Sequence, residues 1–378
     1  MKVLHINCNY LTTVLHQTMI EHLNDEGVES VIFAPTYDAS RATITPHSNV
    51  IVSECFKKWD RVWFDYKQKK IFSAINKSVE AKDFDCIHAY TLYTDGNSAR
   101  KLSKKCGKPY VVAVRDTDVN FFFKLMPHLR SRGVKIMLDA ARVFFLSTTY
   151  RDFVIEKYVP EDKREEILKK SLIMPNGIDD FWFNNVYAQR DTDKSIRSFD
   201  EKKIRIVFAG RINNNKNPLT TLKAIDILES KGYQCSFTVV GGFEDQSLKD
   251  DLLSDKRVTY VAKCPKEELV NYYRQSDMFV MPSHQETFGL VYAEAMSQGL
   301  PVLYTKGQGF DGQFADGEIG YAIDSHSPED IAAKIILVTE NYKKLSEGCT
   351  EAFKKFNWHG IVHKYSELYT EIKKESEA

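Results

Sequence analysis

Short apolar runs alternate with stretches of helical spacing along almost the whole chain. Lys2-Val-Leu-His-Ile-Asn7 reads as a buried strand, Thr12 to Asn24 sets Leu15, Met19, Ile20 and Leu23 on one helical face before Gly27 stops it, and Ser30-Val-Ile-Phe-Ala34 closes a strand-helix-strand unit. Cys86-Ile-His88, Tyr110-Val-Val-Ala-Val114 and Val143-Phe-Phe-Leu146 continue the alternation. Runs this short and this continuously apolar suit parallel strands covered on both faces, so the first half predicts a doubly wound α/β domain.

Turn residues cluster at Pro175-Asn-Gly-Ile-Asp179, and the polar stretch Gln189 to Lys203 has little to bury, which predicts a domain boundary. The pattern then restarts. Ile204 to Ala209, Ser236 to Val240, Val258 to Val261, Met278 to Met281 and Pro301 to Tyr304 read as strands, with helical spacing over Leu219 to Ser230, Glu267 to Arg274 and Leu290 to Gln298. This predicts a second doubly wound domain. Trp358 to Ile372 carries Ile361, Tyr365, Leu368 and Ile372 on one helical face. The expected division is 1–180, 181–355 and a closing helix within 356–378.

Bulk numbers narrow the classes further. At 378 residues the chain exceeds the size at which one core usually stops growing, in keeping with two domains and a cleft. Lys plus Arg and Asp plus Glu both total 52, which gives no global reason to expect a nucleic-acid partner. The seven cysteines are scattered without a CxxC pair, so reduced, packed thiols are expected. The opening MKVLHINCNYL has no charged region followed by a long apolar run, and no later stretch approaches a membrane span, which predicts a cytoplasmic protein. No GxGxxG follows the first strand, which disfavours a dinucleotide oxidoreductase.

Two segments carry candidate chemistry. Gly210-Arg-Ile-Asn-Asn-Asn-Lys216 lies between a predicted strand and a predicted helix, where ligands of open α/β sheets bind; Arg211 and Lys216 there suit a diphosphate, the competing reading being a solvated loop. In Glu286-Thr-Phe-Gly-Leu-Val-Tyr-Ala-Glu294 the amides of Phe288, Gly289 and Leu290 open a helix and form an anion site. Glu286 would point at whatever is attached to that anion. Glu294 would accept from vicinal hydroxyls, unless it is an ordinary helix-surface carboxylate.

These segments, in this order, resemble glycosyltransferase family four, retaining enzymes of the GT-B architecture: two Rossmann-like doubly wound parallel-sheet domains facing a central cleft. Pro175-Asn-Gly-Ile-Asp179 is similar to that family's interdomain turn. The resemblance implies that Arg211 and Lys216 bind the donor diphosphate, Glu286 the transferred sugar and Glu294 the ribose, with the base near Ala262-Lys263-Cys264 on backbone groups. It further implies a closing helix that crosses back to the first domain, and transfer on one face of the sugar, the leaving diphosphate helping to deprotonate the acceptor.

Some segments depart from that family's pattern. Asn7-Cys-Asn-Tyr-Leu-Thr-Thr13 stands where many members carry a Gly-Gly pair, and Gly309-Phe-Asp-Gly312 replaces a Pro-Glu element. In Ala113-Val-Arg-Asp-Thr-Asp118, Arg115 stands where a His would face the reacting sugar; an Arg can hold a phosphate or an acidic acceptor but cannot act as a base. Asp116 or Asp118 would orient the acceptor hydroxyl, against the alternative of a structural Arg115–Asp118 pair. Asp116-Thr-Asp118 has a metal-motif spacing but lies on the acceptor side, so no metal is expected, nor any cofactor beyond the nucleotide-sugar donor.

Residues 56–70 mix Trp59, Trp63, Phe64 and Tyr66 with Lys57, Lys58, Arg61, Lys67, Lys69 and Lys70. The stretch reads either as a helix packed on its own domain or as a peripheral contact with an anionic leaflet at the inner face of the membrane. Phe121-Phe-Phe-Lys-Leu-Met-Pro127 reads as core or as an apolar acceptor channel. The expectation is therefore a retaining, metal-independent hexosyltransferase. It would use a UDP- or GDP-sugar and a glycan or lipid-linked acceptor of cell-surface polysaccharide assembly. A silent GT-B sensor or partner subunit and a sugar-nucleotide epimerase are the alternatives.

Overall fold

A computed structural model describes residues 1–187 and 202–377, the side chain of Arg61 excepted; the stretch Gln189 to Lys203 lies outside the described residues as far as 201. Two compact units result, one from residues 1–177 with the stretch from Trp358 onward, the other from residues 178–357.

The first unit holds a seven-stranded parallel sheet: β1 (Lys2–Ile6), β2 (Glu29–Thr36), β3 (Val50–Glu54), β4 (Cys86–Ala89), β5 (Tyr110–Ala113), β6 (Arg142–Phe145) and β7 (Ser171–Ile173) in the order β3-β2-β1-β4-β5-β6-β7. Strand side chains alternate between two separate cores. Leu4, Ile6, Tyr110 and Val112 face helices Phe64–Ser78 and Thr94–Cys106, whereas Val3, Val111 and Ala113 face helix Val14–Asp25 and the last helix, Trp358–Glu377. This two-sided burial is why the strands read as unbroken apolar runs. The last helix buries Ile361, Val362, Tyr365, Leu368, Tyr369 and Ile372 here. Gly177 seats its first residue, since a Cβ there would lie 2.4 Å from the Trp358 ring.

The second unit holds β8 (Lys203–Ala209), β9 (Gln234–Val240), β10 (Val258–Val261), β11 (Met278–Val280), β12 (Val302–Thr305) and β13 (Gly320–Ile323), all parallel, in the order β10-β9-β8-β11-β12-β13. Every strand named from the sequence is present. The pattern missed β3, β7 and β13. β3 is partly exposed and alternating, β7 has three residues, and β13 opens on Gly320 at φ +149°, where a Cβ would stand 1.9 Å from the Val302 carbonyl.

A histidine cluster lies inside the first unit. His5 Nδ1 shares a hydrogen bond with the Tyr90 hydroxyl at 3.1 Å and His88 Nδ1 with the Tyr369 hydroxyl at 2.6 Å, while the His88 and Tyr90 rings stack at 4.4 Å. Burial disfavours the charged imidazole and pushes His5 and His16 from 6.5 down to about 3, and His88 well down too. The fold holds these rings neutral where the unfolded chain would protonate them. Their contribution is therefore full above pH 6.5 and is lost as the pH falls toward 3. Exposed His363 moves the other way, raised by its hydrogen bond to Glu26 and by Glu367. Ring resonances of selectively labelled His5, His16 and His88 are expected to stay neutral from pH 8 to pH 5 while His363 titrates above 6.5. Protonation of the buried rings in the native protein near pH 6 would contradict the assignment.

Candidate donor and acceptor sites

In the second unit the chain order of the strands reverses between β8 and β11, and at such a switch point the loops leaving neighbouring strands diverge and open a crevice beyond their carboxyl ends. Gly210 follows β8 and Gly241 follows β9, their backbones packed so closely that a Cβ on Gly241 would lie 1.7 Å from the Gly210 carbonyl. Gly241 escaped the sequence reasoning, although Val-Val-Gly-Gly after a predicted strand was the available signal.

The asparagines that follow tie this loop to the one after β11. Asn215 donates its amide to the Gln285 carbonyl at 2.9 Å and accepts from the Gln285 N–H at 3.0 Å. Asn217, left-handed at φ +56°, donates to the carbonyls of Pro282 and Ser325 at 3.2 and 2.7 Å. Asn213 accepts from the Lys216 amide at 2.9 Å. Clamped in this way, Lys216 places Nζ 2.5 Å from Glu286 Oε2, with only 15% and 11% of the two side chains exposed. Arg211 is 72% exposed and pairs with Glu244 at 3.1 Å. The structure thus joins Lys216 to Glu286 and sets Arg211 on the rim.

Glu286 begins a tightly held loop. Its N–H donates to Gln308 Oε1 at 2.9 Å, and its carbonyl accepts from the Gly309 N–H at 2.7 Å. A Cβ on Gly309 would be 1.7 Å from the Thr287 carbonyl, so the Gly309-Phe-Asp-Gly312 element serves as the buttress of this loop. Gly289 is left-handed at φ +76° and leads into helix Leu290–Ser297. Phe288 is a core residue against Phe310 and Phe356, so only its backbone is offered to a ligand. Among the described residues the amides of Phe288, Gly289 and Leu290 make no hydrogen bond to protein, the arrangement in which a helix start attracts an anion.

Glu294 is half-buried, and burial pushes its carboxyl up to about 7, with Asp179 adding to the shift and Lys266 opposing it. Asp179 and Lys266 pair at 2.5 Å, and sequence reasoning had not placed them beside Glu294. Cys264 is half-buried after β10, while Ala262 and Lys263 are exposed. Burial pushes the Tyr273 hydroxyl well up, and Glu294 adds to the shift.

In the first unit the switch point falls between β1 and β4. A cavity of about 560 Å³ opens at these carboxyl ends, lined among others by Asn9, Phe56, Phe64, Lys67, Asp116 and Phe121. Asp116 is exposed and accepts from the Asn120 amide at 2.5 Å. Asp118 requires a correction. Its buried carboxylate accepts the backbone amides of Leu92, Tyr93 and Arg115 at 2.9, 3.0 and 2.9 Å, fastening the start of one helix to the exit of β5, so it is not free to orient an acceptor hydroxyl. Nor do the side chains of Arg115 and Asp118 form an ion pair: the contact is through the Arg115 amide, and Arg115 Nη1 instead donates to Asn176 Oδ1 at 3.3 Å. Buried Asp95, which sequence reasoning missed, plays a similar structural part by accepting from Cys8 N and the Thr91 hydroxyl at 3.2 and 3.0 Å.

With this geometry described, the chain can be set beside known proteins. Residues 189–356 match the family model "Glycosyl transferases group 1". The chain matches that model over most of its second unit. It is 29% identical over 265 residues to a D-inositol 3-phosphate glycosyltransferase of Paenarthrobacter aurescens, a match spanning 66% of this chain and 62% of that protein. It is 31% identical over 179 residues to the protein of the same name from Corynebacterium efficiens, covering 44% and 42%. These matches thus span less than two thirds of the relatives' own length. Among solved structures, sucrose-phosphate synthase from Thermosynechococcus elongatus superposes with a TM-score of 0.74 at 18% identity over 98% of both chains. Anabaena HepE in complex with UDP and glucose does so with 0.64 at 14% identity over 98% of this chain and all of that one. The fold of this chain is GT-B.

A carboxyl whose folded value is raised stabilises the protein below its unfolded range near 4.5 and loses that contribution as the pH rises through about 7. Glu294→Gln mimics the neutral form. Its melting temperature is expected to match the parent at pH 5 and to exceed it by about 2–4 °C at pH 8, the shift expected of about 1 kcal/mol. A difference that does not vary with pH would show that Glu294 is not held neutral.

Proposed function

We propose that the chain is a retaining glycosyltransferase of family four. It would move a hexose from a UDP- or GDP-sugar to a hydroxyl of a glycan or lipid-linked acceptor in cell-surface polysaccharide assembly. The observation that carries this reading is the meeting of Lys216, Glu286 and the unpaired amides of residues 288–290 at the β8/β11 switch point. Lys216 and the amides supply positive charge for a diphosphate, with Arg211 on the rim, while Glu286 presents a carboxylate to the sugar and Glu294 a carboxyl group to the ribose. Ala262, Lys263 and Cys264 would border the base. HepE, a protein of the same fold, binds UDP and glucose in its crystal structure, which favours a uridine donor over a guanosine one.

In the reaction the bond from the sugar C1 to the diphosphate oxygen breaks and a bond from C1 to the acceptor oxygen forms on the same face. The acceptor's proton passes to the departing phosphate. Fixed donors aimed at the leaving diphosphate stabilise the charge that develops there, and the reading requires neither a metal nor a protein nucleophile. Wild-type protein is expected to be stabilised by one UDP- or GDP-sugar and to release nucleotide in the presence of EDTA. Lys216→Ala and Glu286→Ala are expected to weaken donor binding or turnover at least about tenfold, the effect of losing a charge-assisted hydrogen bond. No response to any donor would favour a silent scaffold instead.

A peripheral membrane contact belongs to the same proposal. Trp59 and Trp63 are 80% and 72% exposed, with Val62, Tyr66, Phe121 and Leu125 also exposed. Phe64 packs on Phe122 at 5.5 Å and joins these two segments beside the cavity, and Lys57, Lys58 and Lys69 supply positive charge. No helix among the described residues is long and apolar enough to cross a membrane. Co-sedimentation with phosphatidylglycerol vesicles is expected for the parent and sharply reduced for Trp59→Ala/Trp63→Ala, with little binding to phosphatidylcholine. Equal sedimentation of both proteins would remove the membrane from the proposal.

A further inference from the structure

We infer that Arg115, with Asn7, Tyr10 and His16, forms an anion site in the first unit that takes a phosphate monoester carried by the acceptor. This inference rests on the glycosyltransferase reading.

Arg115 leaves β5 with its charge unbalanced. Among the described residues its guanidinium makes no ion pair: the one side-chain bond is to the Asn176 amide oxygen, at 3.3 Å. Its Nε is buried without a hydrogen-bond partner. The acid next in sequence that is buried beside it, Asp118, has its oxygens engaged by three backbone amides.

Three more unsatisfied groups lie at the same end of the sheet. Asn7 Nδ2, the Tyr10 hydroxyl and His16 Nδ1 have no hydrogen-bond partner, and these residues are 0%, 1% and 8% exposed. Tyr90 links them. Its N–H donates to the Ile6 carbonyl, adjacent to Asn7, its ring meets His16 edge-on at 4.8 Å, and its hydroxyl lies within electrostatic reach of Arg115. A buried polar group without a partner costs about 1–3 kcal/mol, so three donors at the carboxyl edge of a doubly wound sheet, with His16 Nδ1 a fourth when its proton sits there, mark a place built for an acceptor of hydrogen bonds. A planar guanidinium beside neutral donors suits the oxygens of a phosphate monoester, which the Arg can hold in a bidentate fork.

The test measures binding without donor, by calorimetry and thermal shift, with glucose 6-phosphate, neutral glucose, phosphatidic acid vesicles and UDP as separate probes. Glucose 6-phosphate or phosphatidic acid is expected to bind wild type, glucose not to. Arg115→Gln should lose at least tenfold in that affinity, Arg115→Lys should recover part of it, and UDP affinity should be the same in all three. Dependence on Arg115 for the soluble ester alone places the phosphate on a soluble acceptor, and dependence for the vesicles alone places it on a lipid headgroup; both support the site. Tyr10→Phe removes only an unpartnered hydroxyl and is expected to weaken phosphate binding while melting no lower than wild type, which separates binding from folding. The inference is overturned if phosphate binding is absent in wild type, if it survives Arg115→Gln, or if UDP affinity falls with it. Intact UDP binding with no phosphate effect would leave the glycosyltransferase reading standing alone.

Discussion

Parallel strands cannot be joined by tight turns, and when both of their faces are buried every connection must cross over and return to the same end. That constraint organises both units. It explains why the strands are short, why helices cover two separate cores in the first unit, and why Gly210, Gly241, the 262–264 segment and the 282–289 loop all emerge at one edge of the second sheet. Chemistry gathers there because the topology sends every loop leaving a strand to that edge.

Within the edge, the decisive contacts are between loops rather than between side chains and solvent. Lys216 is positioned by asparagines that grip the neighbouring loop, and Glu286 by Gln308 and the Gly309 backbone. The two charges face each other in a largely desolvated setting, where removing either partner leaves the other uncompensated. A ligand entering here exchanges one set of charge contacts for another, and the rigid loops keep both charges in place while it does so.

The second unit was the more legible in sequence because its chemistry lies within two short segments that keep their residue spacing when folded. Lys216 and Glu286 were identified separately, but their contact was not legible: 70 residues separate them, and only the strand order brings them together. Asp118 misled for the opposite reason. Its neighbour Asp116 suggested a paired chemical role, whereas three amides from two elements had already claimed its carboxylate. Gly309 looked like a departure from a pattern and proved to be the only residue type that fits under Thr287. Exposure was equally hidden, since nothing in the periodicity of residues 56–70 separates buried Phe64 from exposed Trp63.

The asparagine loop limits which residue types can stand there. Asn215 serves as donor and acceptor at once, and Asn217 donates to two carbonyls, tasks that an amide performs and a carboxylate does not. Asparagine is among the heat-labile residues, and its slow hydrolysis to aspartate would replace a donor by a negative charge facing backbone oxygens. The same damage would bring negative charge close to Lys216. A carboxylate at either position would thus oppose both the backbone geometry of the loop and the positive charge that the loop holds in place.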